Sequence, residues 1–200
     1  MDTEIIIKEL VPFSTSIYQT NISIDPTILL GVDYLSQDPT NFKNASNIGG
    51  WHSRVYFETD LTTREELQFI KPSIEKILPI VQVIYNSIGL AKPATVDGFW
   101  FMNNKRYNYN RLHNHPGCWI SGVVYLKVPK NSGRILFERP DPMHDFLQID
   151  TPTDKSIQEY YWTPAVGDVV LFPSYLKHYV EQNHADEADD SRICLAINFK

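Results

Sequence analysis

Two histidines one residue apart, His113 and His115, constrain this chain more than any other feature of its sequence. In a β-strand, residues i and i+2 point to the same face, so the two imidazoles can converge on one metal ion. A third histidine, His178, follows an apolar segment at 168–172 that reads as a strand and could supply another ligand. Since neutral imidazole suits Fe(II), this spacing predicts a mononuclear iron site.

The other three histidines, His52, His144 and His184, stand alone in the sequence. A lone histidine is more often a surface residue or a hydrogen-bonded core residue than a ligand, so we assign these three no ligand role. Six histidines in 200 residues make one closely spaced pair unsurprising. The prediction therefore depends on the pair in combination with His178 and with Arg192 beyond it.

The composition limits the compartment and the partners. A chain of 200 residues with 42% hydrophobic and 21% charged residues suits a single globular domain, here 1–200. Within it, residues 1–95 are expected to form an N-terminal strand and helical support, and residues 96–200 are expected to form the metal-binding β core. A net charge of −6 argues against nucleic acid and anionic membranes, which leaves a small molecule or a peptide as substrate. Two cysteines, no leader and no bilayer-length apolar run favour a cytoplasmic protein. The oligomeric state is left open.

The first half of the chain predicts short extended pieces followed by a helix. Extended segments are expected at 4–8 and 13–18, and a polar loop over 36–50. From Thr62, a Thr-x-x-Glu capping box and apolar residues at helical spacing predict a long helix. Pro72 and Pro79 are expected to break or kink it.

The second half predicts a β structure. Short apolar segments punctuated by Gly, Pro and Asn indicate strands at 98–102, 122–128, 133–138, 168–172, 179–181 and 192–199. This pattern is typical of a β-sandwich or barrel. The acidic stretch 186–190 is expected to form a solvated hairpin tip.

Several motifs together resemble a known enzyme family. They are Asn110-x-x-His113-x-His115-Pro, Ser121-Gly-Val-x-Tyr-Leu126, Leu171-Phe-Pro-Ser174 and the strand that begins at Arg192 and ends in Asn-Phe199. The chain resembles the 2-oxoglutarate/Fe(II)-dependent oxygenases, and within them a subgroup from bacteria and phages. The resemblance implies a mainly β fold, the double-stranded β-helix or jelly roll, with N-terminal helices packed on one sheet. It also implies a dioxygenase that uses Fe(II) and 2-oxoglutarate, releases succinate and CO2, and hydroxylates a peptidyl residue or a small metabolite.

The resemblance assigns roles to six residues. It implies iron binding by His113, His115 and His178, with affinity expected to fall as the pH drops through the histidine range near ~6.5. Arg192 would hold the distal carboxylate of 2-oxoglutarate. Asn110 and Tyr125 are weaker candidates for contact with 2-oxoglutarate. Where many relatives have a serine two residues after the arginine, this chain has Cys194, which puts that contact in doubt.

One position departs from the pattern of the superfamily. Most of these oxygenases have a carboxylate two residues after the first histidine, whereas this chain has His115. Three hypotheses follow: a site of three histidines, which we favour; a site resembling His-x-Gly of iron halogenases, formed by His115 and Gly117; or a carboxylate from elsewhere, such as Asp141 or Asp145.

Two other classes compete with the oxygenase. A cupin-type metal enzyme has a similar second motif, but the cupin glutamate is missing after the histidine pair, where Trp119, Ile120 and Ser121 stand. A jelly-roll binding module without metal would use exposed tryptophans as a sugar platform, although four tryptophans are more often core and rim residues.

Overall fold

The computed structural model describes residues 14–141, 149–151, 153, 155–186 and 190–200. The strands within this part of the chain are β1 (Tyr18–Asn21), β2 (Asn47–Ile48), β3 (Trp51–His52), β4 (Val96–Asn104), β5 (Tyr109–His113), β6 (Ile120–Lys127), β7 (Ile135–Glu138), β8 (Glu159–Trp162), β9 (Asp168–Pro173), β10 (His178–Val180) and β11 (Arg192–Phe199). The helices are α1 (Ile28–Ser36), α2 (Asp60–Thr63) and α3 (Lys71–Ser87), with a 3-10 turn at Glu65–Leu67. Of these described helices, none has the length and apolar character needed to cross a membrane.

The strands form two antiparallel sheets. The larger sheet has the order β1-β9-β6-β11-β4-β3, and the smaller has the order β2-β5-β10-β7-β8. Consecutive strands cross between the sheets, since β9 and β11 lie in the larger sheet and β10 in the smaller. This arrangement confirms the predicted jelly roll.

Alternation along the strands divides the core in two. On β11, Ile193 and Leu195 face the helices, where they join one hydrophobic cluster, while Cys194 joins a second cluster between the sheets. Because side chains alternate along a strand, Arg192 shares the inward face with Cys194. The fold therefore places a guanidinium between the sheets.

The helices cover the outer face of the larger sheet, as predicted. Buried residues of α3 recur at helical spacing, including Ile74, Ile77 and Val81, and they pack in the same cluster as Leu195. Helix α1 was not predicted from the sequence. Its Gly31 lets the helix lie against Phe69, because a Cβ at this position would be 2.5 Å from the ring.

The predicted start of the long helix is wrong. Thr62 lies inside the short helix α2, and its hydroxyl donates to the Thr59 carbonyl at 2.8 Å instead of capping a new helix. Helix α3 begins at Lys71, so Pro72 stands in its first turn, where the missing N–H removes no intrahelical bond. Pro79 lies within α3, which continues past it.

The predicted strands of the second half are present, with ends shifted by a few residues at most. The aromatic strand β8 was missed, and it pairs with β7 at the edge of the smaller sheet. In the first half, β1 begins where the strand predicted at 13–18 ends. The segment 4–8 and residues 187–189 of the acidic stretch lie outside the described residues.

Candidate metal centre

A cavity of about 580 Å³ opens between the two sheets. The inward faces of β4, β6 and β11 line one side of it, and residues of β5 and β10 line the other. His113, His115, His178 and Arg192 all contribute to its wall. The fold thus brings the four principal site candidates to one space.

Three histidines converge at this cavity. His113 ends β5 and His178 begins β10, and the two are direct partners across these strands. His115 lies two residues beyond β5, so the expectation that both members of the pair lie on a strand is wrong for His115. Its backbone N–H donates to the Ser174 carbonyl at 2.9 Å, which holds it near the start of β10. The candidate ligand nitrogens of the three side chains lie within 4.8 Å of one another.

Backbone carbonyls orient two of the three rings. His113 Nδ1 lies 2.7 Å from the Arg111 carbonyl and His178 Nδ1 lies 2.9 Å from the Leu176 carbonyl. A carbonyl can only accept, so each Nδ1 carries the proton and each Nε2 offers a lone pair. Such a second partner is the usual way in which a protein presents histidine to a metal.

The third ring faces its neighbour directly. His115 Nε2 lies 3.3 Å from His178 Nε2. With His178 Nε2 as the acceptor, the Nε2–H tautomer of His115 donates along this line. A cation between the two nitrogens would replace that proton, and two ligand nitrogens at about 2.0–2.1 Å from one ion have a similar spacing.

Burial keeps the three imidazoles neutral. Desolvation, together with a smaller effect of the neighbouring histidines, lowers the pKa of His115 to about 4 and that of His178 to about 3. Burial also lowers the pKa of His113. Because a neutral imidazole is the ligand form, the loss of iron affinity with falling pH is expected well below the ordinary histidine range, rather than near ~6.5 as the sequence alone suggested.

The donor set fits a metal ion but contains no carboxylate. Among the described residues, the group that could hold an ion consists of His113, His115 and His178 alone. Asp141 forms an ion pair with Arg139 at 2.8 Å, and Asp145 lies outside the described residues. The convergence of His113 with the other two supports the hypothesis of three histidines over the one that pairs His115 with Gly117.

Arg192 lies in the interior and not on the surface. It is 1% exposed, and its Nη1 donates to the Ser132 carbonyl. Its Nη2 is buried and has no hydrogen-bond partner within the described part of the chain. A buried donor on a charged group without a partner is costly, and a carboxylate of a bound molecule would satisfy it.

The two weaker candidates also line the cavity. Tyr125 is 1% exposed, and burial raises the pKa of its hydroxyl far above the ordinary value. The Asn110 amide is engaged within the protein, since its oxygen accepts from Asn104 at 2.8 Å and its nitrogen donates to Ser46 at 3.2 Å. Contact of either residue with 2-oxoglutarate stays a prediction.

Sequence analysis missed two residues that shape the site. His52 is 4% exposed, lines the cavity and stacks on Trp100 at 5.7 Å between ring centroids. Trp100 in turn lies 5.5 Å from the ring of His115. Among the described residues His52 lies outside the group of three histidines, and the Gly49-Gly50 turn before Trp51 is the sequence signal that could have drawn attention to it.

The remaining histidines behave as expected or are not described. His184 is exposed and lies edge-on to Tyr107 at 6.0 Å. His144 lies outside the described residues.

Comparison with known proteins gives a match to one enzyme family. The family model for 2OG-Fe(II) oxygenases matches residues 98–198, which include all three histidines and Arg192. None of the curated proteins compared with this sequence matches it.

Solved structures share the fold at low identity. The chain is similar to a prolyl-4-hydroxylase from Pseudomonas putida, with 14% identity, a TM-score of 0.62 and coverage of 94% of this chain and 93% of that chain. It is similar to a prolyl hydroxylase from Trichoplax adhaerens in complex with a hypoxia inducible factor peptide, at 12% identity, a TM-score of 0.60 and coverage of 92% and 82%. It is also similar to HygX from Streptomyces hygroscopicus with nickel and 2-oxoglutarate bound, at 12% identity, a TM-score of 0.59 and coverage of 92% and 82%.

Proposed function

This chain belongs to the 2OG-Fe(II) oxygenase family, and from that premise we propose that it hydroxylates a peptidyl residue or a small metabolite at the cavity between its sheets. In the proposal His113, His115 and His178 hold the iron, and Arg192 holds the distal carboxylate of 2-oxoglutarate. The observation that carries it is the convergence of three histidine ligand atoms in the cavity that also contains the unpartnered Nη2 of Arg192. When bound, the iron would supply the chemistry by which O2 oxidises 2-oxoglutarate to succinate and CO2, with one oxygen atom going to succinate and the other to the substrate.

The histidines contribute ligand nitrogens in fixed positions and carry no charge of their own. The Nε2 lone pairs of His113 and His178 are directed inward by the contacts of their Nδ1 atoms with the carbonyls of Arg111 and Leu176. Three neutral ligands leave the full charge of the ion to be balanced by what binds beside it. The dianion 2-oxoglutarate meets that need.

Arg192 contributes orientation. Its planar guanidinium can form two parallel hydrogen bonds to a carboxylate, which fix direction as well as distance. The Glu181 carboxylate is nearby but accepts from Arg134 at 2.6 and 2.8 Å, so it does not satisfy Arg192 Nη2. The guanidinium is left ready for a ligand carboxylate.

The remaining wall excludes water and forms the entrance. Val123, Phe172 and Val180 are apolar residues of the cavity, and a dry wall strengthens the charge interactions within it. At the mouth, Phe57 and Leu112 are exposed while they line the same space. These side chains suit a substrate with an apolar part, and the similarity in fold to prolyl hydroxylases supports a peptidyl proline as one candidate.

The test is an anaerobic titration of the Fe(II) protein with 2-oxoglutarate. We expect a weak visible charge-transfer band at one equivalent of each, and conversion of 2-oxoglutarate to succinate when oxygen is admitted. Arg192→Ala should keep iron but weaken 2-oxoglutarate binding by about 2–5 kcal/mol, because the partner of a buried carboxylate is removed. A variant that forms the band at wild-type concentrations would show that Arg192 holds no co-substrate. The lack of any band in the wild type would favour a cupin-type enzyme or a binding module.

A further inference from the structure

We propose that Gly133 is a positioning residue for Arg192 and so sets the affinity for 2-oxoglutarate. The inference rests on the proposed function, in which Arg192 holds the distal carboxylate. It concerns a loop, residues 129–133 of the connection between β6 and β7, whose Ser132 carbonyl accepts from Arg192. A second cavity, of about 790 Å³, lies on the outer side of this loop.

The loop brings its backbone against the guanidinium. Ser132 N–H donates to the Pro129 carbonyl at 3.3 Å, and the Ser132 carbonyl accepts from Arg192 Nη1. The next residue, Gly133, has a φ of +88°, in the region that side-chain-bearing residues rarely adopt. The turn therefore delivers a carbonyl to Arg192 and places the Cα of a glycine beside it.

A side chain at position 133 would meet Arg192. A Cβ there would lie 2.9 Å from Arg192 Nη1, 2.7 Å from the Glu181 carbonyl oxygen and 2.9 Å from the Gln182 carbonyl oxygen. The two carbonyls belong to the backbone that follows β10. A Cβ cannot clear these two carbonyls and Nη1 together, so the loop or the guanidinium must shift, and either shift changes the contact between Arg192 and the Ser132 carbonyl.

Hydrogen bonds to Glu181 also restrain the loop from moving away from Arg192. The neighbouring Arg134 donates to Glu181 through its backbone N–H at 3.0 Å and through its guanidinium at 2.6 and 2.8 Å. Hydrogen bonds from Arg134, helped by the charge of Arg192, lower the pKa of Glu181 and keep its carboxylate ionised. An added Cβ therefore displaces Arg192 or the Ser132 carbonyl that anchors it, and either movement weakens the bond between them and changes the direction of Nη2 toward a bound carboxylate.

The experiment measures binding, not turnover. Iron and 2-oxoglutarate affinities are determined separately, under argon, for wild type and Gly133→Ala. We expect the dissociation constant for 2-oxoglutarate to rise about tenfold or more, because a bidentate contact depends on geometry, while iron binding changes less than about twofold. Equal 2-oxoglutarate affinity in the two proteins would overturn the proposal.

A matched glycine separates contact from backbone strain. Gly89 has a φ of +83°, and a Cβ there would have no atom within 4 Å. Gly89→Ala therefore places a side chain at a similar positive φ without touching Arg192, and it should leave the 2-oxoglutarate affinity unchanged. A loss equal to that of Gly133→Ala would reduce the effect to backbone strain and overturn the proposal.

A double-mutant cycle tests whether Gly133 acts through Arg192. In an Arg192→Ala background, Gly133→Ala should cause no further loss of 2-oxoglutarate affinity, and a full additional loss would overturn the proposal. If Arg192→Ala itself leaves 2-oxoglutarate binding intact, the role proposed for Arg192 fails. If only Gly133→Ala leaves it intact, the inference fails and the proposed function stands.

A second variant allows the proposal to be tested if Gly133→Ala does not fold. Arg134→Ala releases the same loop at a partly exposed ion pair without adding an atom near Arg192. We expect it to raise the 2-oxoglutarate dissociation constant severalfold with iron binding unchanged. An unchanged constant would count against control of Arg192 by this loop.

Discussion

His115 differs from its two partners in how it is held. His113 and His178 are oriented by backbone carbonyls, whereas His115 sits in a turn, packs against Trp100 and faces His178 Nε2 at 3.3 Å. It also occupies the position at which most of the superfamily has a carboxylate. The role of this one residue decides what kind of metal site the protein has.

Substitution of His115 gives the first prediction. His115→Asp should keep stoichiometric Fe(II), because a carboxylate restores the common ligand and adds negative charge opposite the ion. His115→Ala should bind iron clearly more weakly, since one of three protein ligands is lost. Anaerobic metal analysis after gel filtration measures both. Iron content in His115→Ala equal to wild type would remove His115 from the site.

The halogenase-like hypothesis predicts a different result when His113 is substituted. Under it, His113→Ala would spare iron and Gly117→Asp would supply the carboxylate. The structure favours loss of iron in His113→Ala, because the ring of His113 lies 4.3 Å from that of His178 between centroids. The same metal analysis distinguishes these outcomes.

His178 gives a prediction with a matched control. His178→Ala should abolish stoichiometric Fe(II) binding, because the side chain is buried beside both other histidines. His184→Ala changes the same residue type at an exposed position outside the group and should leave metal content unchanged. Loss of iron in both variants would point to a general effect on folding.

Among the structural elements, β9 depends on one buried carboxylate at its first residue. Asp168 is 6% exposed and accepts from the Trp162 indole at 3.0 Å, the Ala165 N–H at 2.9 Å and the Asn21 amide at 3.1 Å. These bonds tie β9 to the end of β8 and to the edge strand β1. The carboxylate thereby fixes the strand that leads to His178.

Asp168→Ala should therefore destabilise the protein. We expect the free energy of unfolding to fall by about 2–4 kcal/mol, because three donors lose a buried, charged acceptor that they share. Urea unfolding of the metal-free protein measures the change. Asp186→Ala, at an exposed position, is the control and should change stability by less than about 0.5 kcal/mol. Equal effects of the two substitutions would contradict the role of the network.

The strands around the site could be predicted because their signals are local. β9 and β11 are apolar segments bounded by turn residues, and their ends agree with the sequence pattern within a residue. The role that the resemblance implies for Arg192 requires an inward side chain, and alternation along β11 provides it. The convergence of His113 with His178 was likewise predicted, and both lie at strand ends.

The features that could not be predicted from the sequence depend on contacts between residues that are far apart in the chain. Helix α1 is short and contains Gly31. A glycine is needed at this position because the ring of Phe69 packs against the helix. The cavity position of His52 comes from the pairing of β3 with β4, which has no local signature. The turn that holds His115 is likewise fixed from a distance, by Ser174.

Across the whole molecule, the buried histidines couple folding to pH. In the unfolded chain they titrate near ~6.5, whereas in the folded protein burial lowers the pKa of His115 to about 4 and that of His178 to about 3. Below ~6.5 the unfolded state therefore binds protons that the folded state does not. Stability of the metal-free protein falls as the pH drops below that value and levels off near the folded pKa values.

The free energy of unfolding is expected to fall by about 1–2 kcal/mol per buried histidine between pH 7 and pH 5. Urea unfolding at the two pH values, for wild type and His115→Gln, isolates this contribution because the carboxylates are common to both proteins. The variant should lose less stability than wild type over this interval. An equal loss would show that His115 is not held neutral by burial.

The most direct test of the metal centre is a crystal structure grown without oxygen in the presence of Fe(II) and 2-oxoglutarate. We predict one ion bound by the Nε2 atoms of His113, His115 and His178, with the distal carboxylate of 2-oxoglutarate at Arg192. An ion with neither His113 nor His115 within coordination distance would contradict the account.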